Sequence, residues 1–149
     1  MNTKQNLPES ELRGKTAEGF GCRLCPRQCG TDRSSARGFC GETNKVKVSR
    51  AALHFGEEPC ISGTNGSGAI FFSGCPMHCV FCQNYTISGG SCKLADYAKA
   101  SEVSPEKLRE IYFDLIKQGA HNINLVTPTH YTDSIIKSLQ GGLPVPVIW

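Results

Sequence analysis

The most regular patterning of apolar and polar positions lies in the second half of the chain. Ala69-Ile70-Phe71-Phe72 is a continuous apolar run, as expected of a strand covered on both faces. Ser104-Pro105 offers an N-cap followed by a first helical residue. Leu108, Ile111, Tyr112, Leu115 and Ile116 then fall on one helical face, and Gly119 ends the helix. Ile123-Asn124-Leu125-Val126 reads as a second strand. Ile135, Ile136 and Leu139 mark a shorter helix closed by Gly141-Gly142, and Val145–Trp149 reads as a third strand. Strand, helix, strand, helix, strand predicts an α/β fold with a parallel sheet and right-handed crossovers. Three parallel strands with a bare edge make an incomplete sheet, so the expectation is a partial parallel (βα) barrel, the beginning of a larger one.

The first half is different. Residues 1–20 are polar and charged and read as a flexible leader. Residues 21–63 are rich in Gly, Cys, Arg and Pro, the composition of a small metal-stapled segment, with Val46–Val48 as a short strand. Gly63-Thr64-Asn65-Gly66-Ser67-Gly68 reads as a linker or tight turn, and residues 64–149 form the expected partial barrel. No apolar signal region is visible at the start, and no apolar run approaches the ~18 residues of a membrane span. The net charge of +3 is carried by dispersed lysines and arginines, which argues against nucleic-acid or membrane partners. The expected location is cytoplasmic.

Cysteine changes the picture. Nine occur in 149 residues, an odd number without an export signal, which points to metal rather than to disulfides. Cys75, Cys79 and Cys82 have the spacing C-x3-C-x2-C and directly follow the buried strand, at the end where α/β folds put their sites. Three thiolates on one short loop suit one face of a four-iron cubane, leaving one iron open; a structural zinc wants four. Cys22, Cys25, Cys29 and Cys40 supply a full set of four, fitting either zinc or a second, auxiliary cluster. Cys60 and Cys92 stand apart and read as simple thiols, with Cys60 a conceivable substitute in the first group.

Cys75-Pro76-Met77-His78-Cys79-Val80-Phe81-Cys82 resembles the C-x3-C-x-Φ-C signature of the radical S-adenosylmethionine superfamily, with Phe81 as Φ. The flanks Ile70–Gly74 and Gln83-Asn84-Tyr85 are similar to the group resembling pyruvate formate-lyase activating enzyme. So are the Cys22–Cys29 leader, Arg37–Gly41 and His54–Cys60. The resemblance runs from about Gly21 to Trp149. It implies a radical-type barrel and a [4Fe-4S] cluster on Cys75, Cys79 and Cys82, with S-adenosylmethionine on the fourth iron. Reductive cleavage would give a 5′-deoxyadenosyl radical for hydrogen abstraction, with glycyl-radical activation of a protein substrate as one outcome. The implied electron donor is a flavodoxin or ferredoxin. The protein supplies orientation and shelter to a cofactor that carries the hard chemistry.

The resemblance also assigns residues. Phe81 would pack near the adenine, the alternative being a core aromatic, and Asn84 and Tyr85 would shape the cluster loop. The Gly-Gly-Glu common in such activating enzymes is replaced by Thr127-Pro128-Thr129-His130. Thr127 and Thr129 offer polar contacts to the cofactor, though Thr129 equally suits the cap of the next helix. His130 is a further, exposed candidate. Two other classes compete with the enzyme: a non-catalytic zinc or iron–sulfur binding module, and a ferredoxin-like electron carrier in which Cys92 completes the second cluster.

Overall fold

The computed structural model describes residues 21–89 and 100–149. The expected leader over residues 1–20 and Cys92 lie outside the described residues.

The strand predicted at Ala69 forms as β2, Ser67–Phe72, preceded by a strand β1, Lys47–His54, much longer than the Val46–Val48 stretch that the apolar pattern marks. A short helix, α1, Pro59–Ser62, connects them. Ser67 and Gly68, expected in a turn, belong to β2, and the turn itself ends at Gly66. After the cysteine loop come β3, Ser101–Glu102, helix α2, Pro105–Lys117, β4, Ile123–Val126, helix α3, Thr132–Ser138, and β5, Val147–Ile148. α2 starts where the sequence predicts: the Ser104 hydroxyl accepts from the Lys107 amide at 3.2 Å, satisfying an otherwise unpaired helix-end donor. Gly119, at φ 106, turns the chain out of the helix.

Among the described residues the strands form one five-stranded sheet in the order β3-β1-β2-β4-β5. β2, β4 and β5 are parallel, with Ile70 opposite Leu125 and Asn124 opposite Ile148. β1 is antiparallel to both β2 and β3. This corrects the expected fold. A partial parallel (βα) barrel requires parallel neighbours linked by helical crossovers around the ring. Here the antiparallel β1 takes one flank of β2, so the sheet is small and mixed, with three α-helices among the described residues. The period-2 signal of β1 is weak because Arg50 and Ala51 face solvent, which is why the sequence pattern understates the strand.

One continuous core holds the sheet to its helices. Ile70, Phe72, Ile123 and Leu125 alternate onto the face that meets Leu108, Tyr112 and Leu115 of α2 and Ile135 of α3. Each fully covered aliphatic or aromatic side chain contributes about 1.5–3 kcal/mol. The Tyr112 hydroxyl donates to Ser138 Oγ at 2.9 Å, and Ser138 Oγ donates on to the Ile135 carbonyl at 2.7 Å. The opposite end of β4 is tied down by polar contacts. Asn122 Nδ2 donates to the Ile61 carbonyl at 2.7 Å and Ser67 Oγ to Asn122 Oδ1 at 2.5 Å. Among the described residues no helix is long and apolar enough to cross a membrane.

Candidate cysteine site at the carboxyl end of the second strand

β2 delivers the chain to Ser73 and Gly74 and then directly into the Cys75–Cys82 loop. Gly74 adopts φ 81, and a Cβ there would lie 2.7 Å from the Cys40 carbonyl oxygen and 2.7 Å from Glu42 Cγ. Only glycine fits so close a crossing. Its amide donates to the Ile87 carbonyl at 2.8 Å, which closes the loop on itself. Within the loop, the Met77 amide donates to Cys75 Sγ at 3.4 Å. His78 stands at φ 52, a left-handed conformation that reverses the chain between the first two cysteines.

Cys75 and Cys82 line a cleft of about 40 Å³ together with Asn84, Ile87, Val126 and Thr127. Cys79 is exposed at the loop tip. Asn84 and Thr127, both singled out from sequence, therefore share a wall with two of the three cysteines. Thr127 sits at φ 58, an unfavourable conformation for a β-branched residue, and nothing in the sequence signals it. A larger, shallow hollow of about 460 Å³ runs along the exposed face of α2, lined by Glu106, Arg109, Glu110, Phe113, Asp114 and Lys117. It holds neither cysteine nor histidine and is a solvated charged groove.

Several expected residues are differently situated. Phe81 is 86% exposed, so it is not a core aromatic, and Tyr85 is also exposed. Thr129 opens a 3-10 turn, Thr129–Tyr131, and does not cap α3; the cap position falls on Tyr131, with no side-chain hydrogen bond. His130 is only 1% exposed rather than open to solvent. Its Nε2 donates to the Ser73 carbonyl at 2.8 Å, two residues before Cys75. Burial holds its pKa down at about 4, with Arg33 acting in the same direction against the Ser73 hydrogen bond and Glu42. At neutral pH the ring is uncharged and pins the end of β2.

Cys22, Cys25, Cys29 and Cys40 lie against this loop. The Cys75 amide donates to the Cys40 carbonyl at 3.1 Å, and Arg27 Nε donates to the Pro76 carbonyl at 2.9 Å. The Arg27 guanidinium also covers the Phe39 ring at 4.4 Å, and that ring stacks on His78 at 4.5 Å. Backbone donors from Phe39 and Thr31 bring the Cys29 thiol down to about 7. Burial pushes Cys40 up. Sequence reasoning separates the two cysteine groups; these contacts make them neighbours.

Beneath both groups is a buried polar cluster with no sequence signature. Arg33 is 5% exposed and Glu42 fully buried. Arg33 donates to the carbonyls of Glu42, Thr43 and His130. The Glu42 carboxylate meets Lys47 Nζ at 3.4 Å, an electrostatic contact without hydrogen-bond alignment. Cys60 is exposed on α1. That helix follows the His54 end of β1, whereas Lys47, at the other end, adjoins the first cysteine group. The length of the strand separates Cys60 from those thiols, so it is no substitute ligand. Among the described residues no three Cys, His, Asp or Glu side chains converge tightly enough to grip one ion.

No protein-family model matches the chain, and no solved structure matches it. The uncharacterized protein MJ0674 of Methanocaldococcus jannaschii is 31% identical over an alignment of 131 residues that covers 86% of this chain. The chain spans 37% of that protein's length.

Proposed function

We propose that this chain carries the cluster-binding region of an iron–sulfur enzyme that cleaves S-adenosylmethionine reductively, with Cys75, Cys79 and Cys82 as the ligands of a [4Fe-4S] cluster. The supporting observation is the triplet's position on one short loop at the carboxyl end of a central parallel strand, beside a cleft shared with β4. Loops at that end of parallel strands are where α/β proteins bind cofactors.

The donor set fits the group. A cubane takes one thiolate per iron, so its ligands need not converge on one point as they must around a single ion. When bound on Cys75, Cys79 and Cys82, such a cluster would supply one electron and one iron free of thiolate for S-adenosylmethionine, the chemistry that reductive sulfur–carbon cleavage to methionine and a 5′-deoxyadenosyl radical requires.

The chain's own residues prepare the loop. The Met77 N–H donates to Cys75 Sγ and orients it. Gly74 permits the close crossing, and His130 fixes the Ser73 carbonyl just ahead of the first ligand. Asn84 and Thr127 supply polar groups at the cleft. That cleft, at about 40 Å³, is far smaller than the ~300 Å³ or more of a nucleoside-sized pocket. The nucleoside would therefore lie on the open side of the loop, where Phe81 is exposed. A flavodoxin- or ferredoxin-type donor and a glycyl-radical protein as substrate belong to this reading by family resemblance.

The test is anaerobic reconstitution with iron and sulfide, reduction, and addition of S-adenosylmethionine. Formation of 5′-deoxyadenosine, abolished by Cys79→Ala, supports the reading, as does a cluster EPR signal that changes on adding the cofactor. A reduced cluster whose spectrum ignores S-adenosylmethionine would overturn it in favour of an electron carrier. Failure to bind iron at this loop would overturn it in favour of a non-catalytic module.

A further inference from the structure

We infer that Cys22, Cys25, Cys29 and Cys40 ligate a second iron–sulfur cluster, one thiolate to each iron, whose role is to clamp the first cysteine segment as a platform under the Cys75 loop. The inference does not depend on the chemistry proposed for Cys75, Cys79 and Cys82.

The local backbone is built as a knuckle. The Cys22 amide donates to the Thr31 carbonyl at 2.8 Å and the Gly30 amide returns to the Cys22 carbonyl at 3.1 Å. Between them, the Gln28 amide donates to the Cys25 carbonyl at 3.0 Å. Gln28 and Gly30 both take positive φ, 41 and 67, so the chain reverses tightly between Cys25 and Cys29. The sulfurs meet donors. Cys29 Sγ accepts from the backbone of Phe39 and Thr31 and contacts Cys22, and Arg33 Nη1 lies 3.8 Å from Cys22 Sγ. Cys40 is buried, with its Sγ 3.8 Å from the Glu42 carbonyl oxygen. Thiolate clusters ringed by N–H donors are the usual setting of bound soft metals, whose outer partners orient the ligands.

Burial gives an independent reason. Between residues 21 and 45, Cys40 is the only buried apolar side chain among the described residues. A segment that orders itself without a core needs another source of folding free energy, and metal binding is such a source. Arg33, nine-tenths buried and joined to three carbonyls, holds the segment against the sheet but cannot by itself gather four thiols. The clamp reaches the neighbouring loop through the Cys40 carbonyl, Arg27 and the Phe39–His78 stack.

The decisive protein is the full chain with Cys75, Cys79 and Cys82 all changed to Ala, purified without oxygen and offered either zinc or iron with sulfide. The expected result is one retained centre per chain. It will be an iron–sulfur cluster whose spectrum ignores S-adenosylmethionine, and retention of zinc in place of a cluster would overturn the inference. Cys25→Ser added to this background should lower metal retention at least about tenfold. Loading should slow maleimide alkylation of Cys22, Cys25, Cys29 and Cys40, read by mass spectrometry in the same sample. That measurement needs no further variant. Metal at background levels in the triple variant, unchanged alkylation on loading, or disulfides among these four cysteines in oxygen-free protein would each overturn the inference.

Discussion

The Cys75 amide donates to the Cys40 carbonyl at 3.1 Å, and this backbone hydrogen bond joins two cysteine motifs that lie 35 positions apart in sequence. The bond forms because Gly74 lets β2 leave the sheet beneath the segment that carries Cys40.

Gly74→Ala tests that crossing directly. The added methyl would meet the Cys40 carbonyl and Glu42 at 2.7 Å each, and φ 81 is unfavourable for alanine. Overpacking against backbone combined with a left-handed conformation is expected to cost about 2–4 kcal/mol. Urea unfolding should show a lower midpoint with an unchanged slope. A midpoint equal to that of the parent protein would contradict the crossing.

His130 predicts a pH dependence. Its ring is neutral in the fold, with a pKa lowered to about 4 from an ordinary value of 6.5. Protons therefore bind the unfolded chain more tightly. The stabilising contribution is complete above about pH 6.5 and is lost as pH falls toward 4, reaching about 3 kcal/mol at most. Denaturant midpoints measured across that window should fall with acid, and His130→Gln should flatten the slope while lowering the plateau. An equal slope in the variant would show that another group titrates.

Thr127 is expected to trade stability for position. At φ 58 its β-branched side chain is strained, and asparagine tolerates that conformation better. Thr127→Asn should raise thermal stability by about 1 kcal/mol. If the strain serves the site, the same variant should weaken any spectral response of the reconstituted cluster to S-adenosylmethionine. A loss of stability in calorimetry would mean that the threonine is held favourably.

In the core, Tyr112→Phe removes the hydroxyl that donates to Ser138. Burial pushes this phenol up to about 12, so it remains protonated and available as a donor at any working pH. Ser138 keeps its bond to the Ile135 carbonyl, so the expected loss is about 1 kcal/mol. Leu108→Ala, which opens a cavity at a fully buried position, should cost more, about 2–5 kcal/mol. Chemical denaturation of both variants checks the ordering, and the reverse ordering would refute this division between hydrogen bond and packing.

Much of the second half was legible in the chain because helical and strand periodicities are local. Ser104, Pro105 and the apolar face around Leu108 and Tyr112 define α2, and Ile123–Val126 is β4 as read. The cysteine spacing, too, is a local property, and it locates the candidate ligands on one loop. The tertiary structure decided what local patterns cannot encode. Pairing direction made the sheet mixed, because β1 lies antiparallel against β2; strand direction depends on which partner is nearest, not on apolar order. Burial turned His130 from an exposed candidate into a neutral anchor, and left Phe81 in solvent. The adjacency of Cys40 to Cys75, and the Arg33–Glu42 cluster beneath them, arise from contacts between segments far apart in sequence. Such contacts leave no periodic trace in the residues that make them.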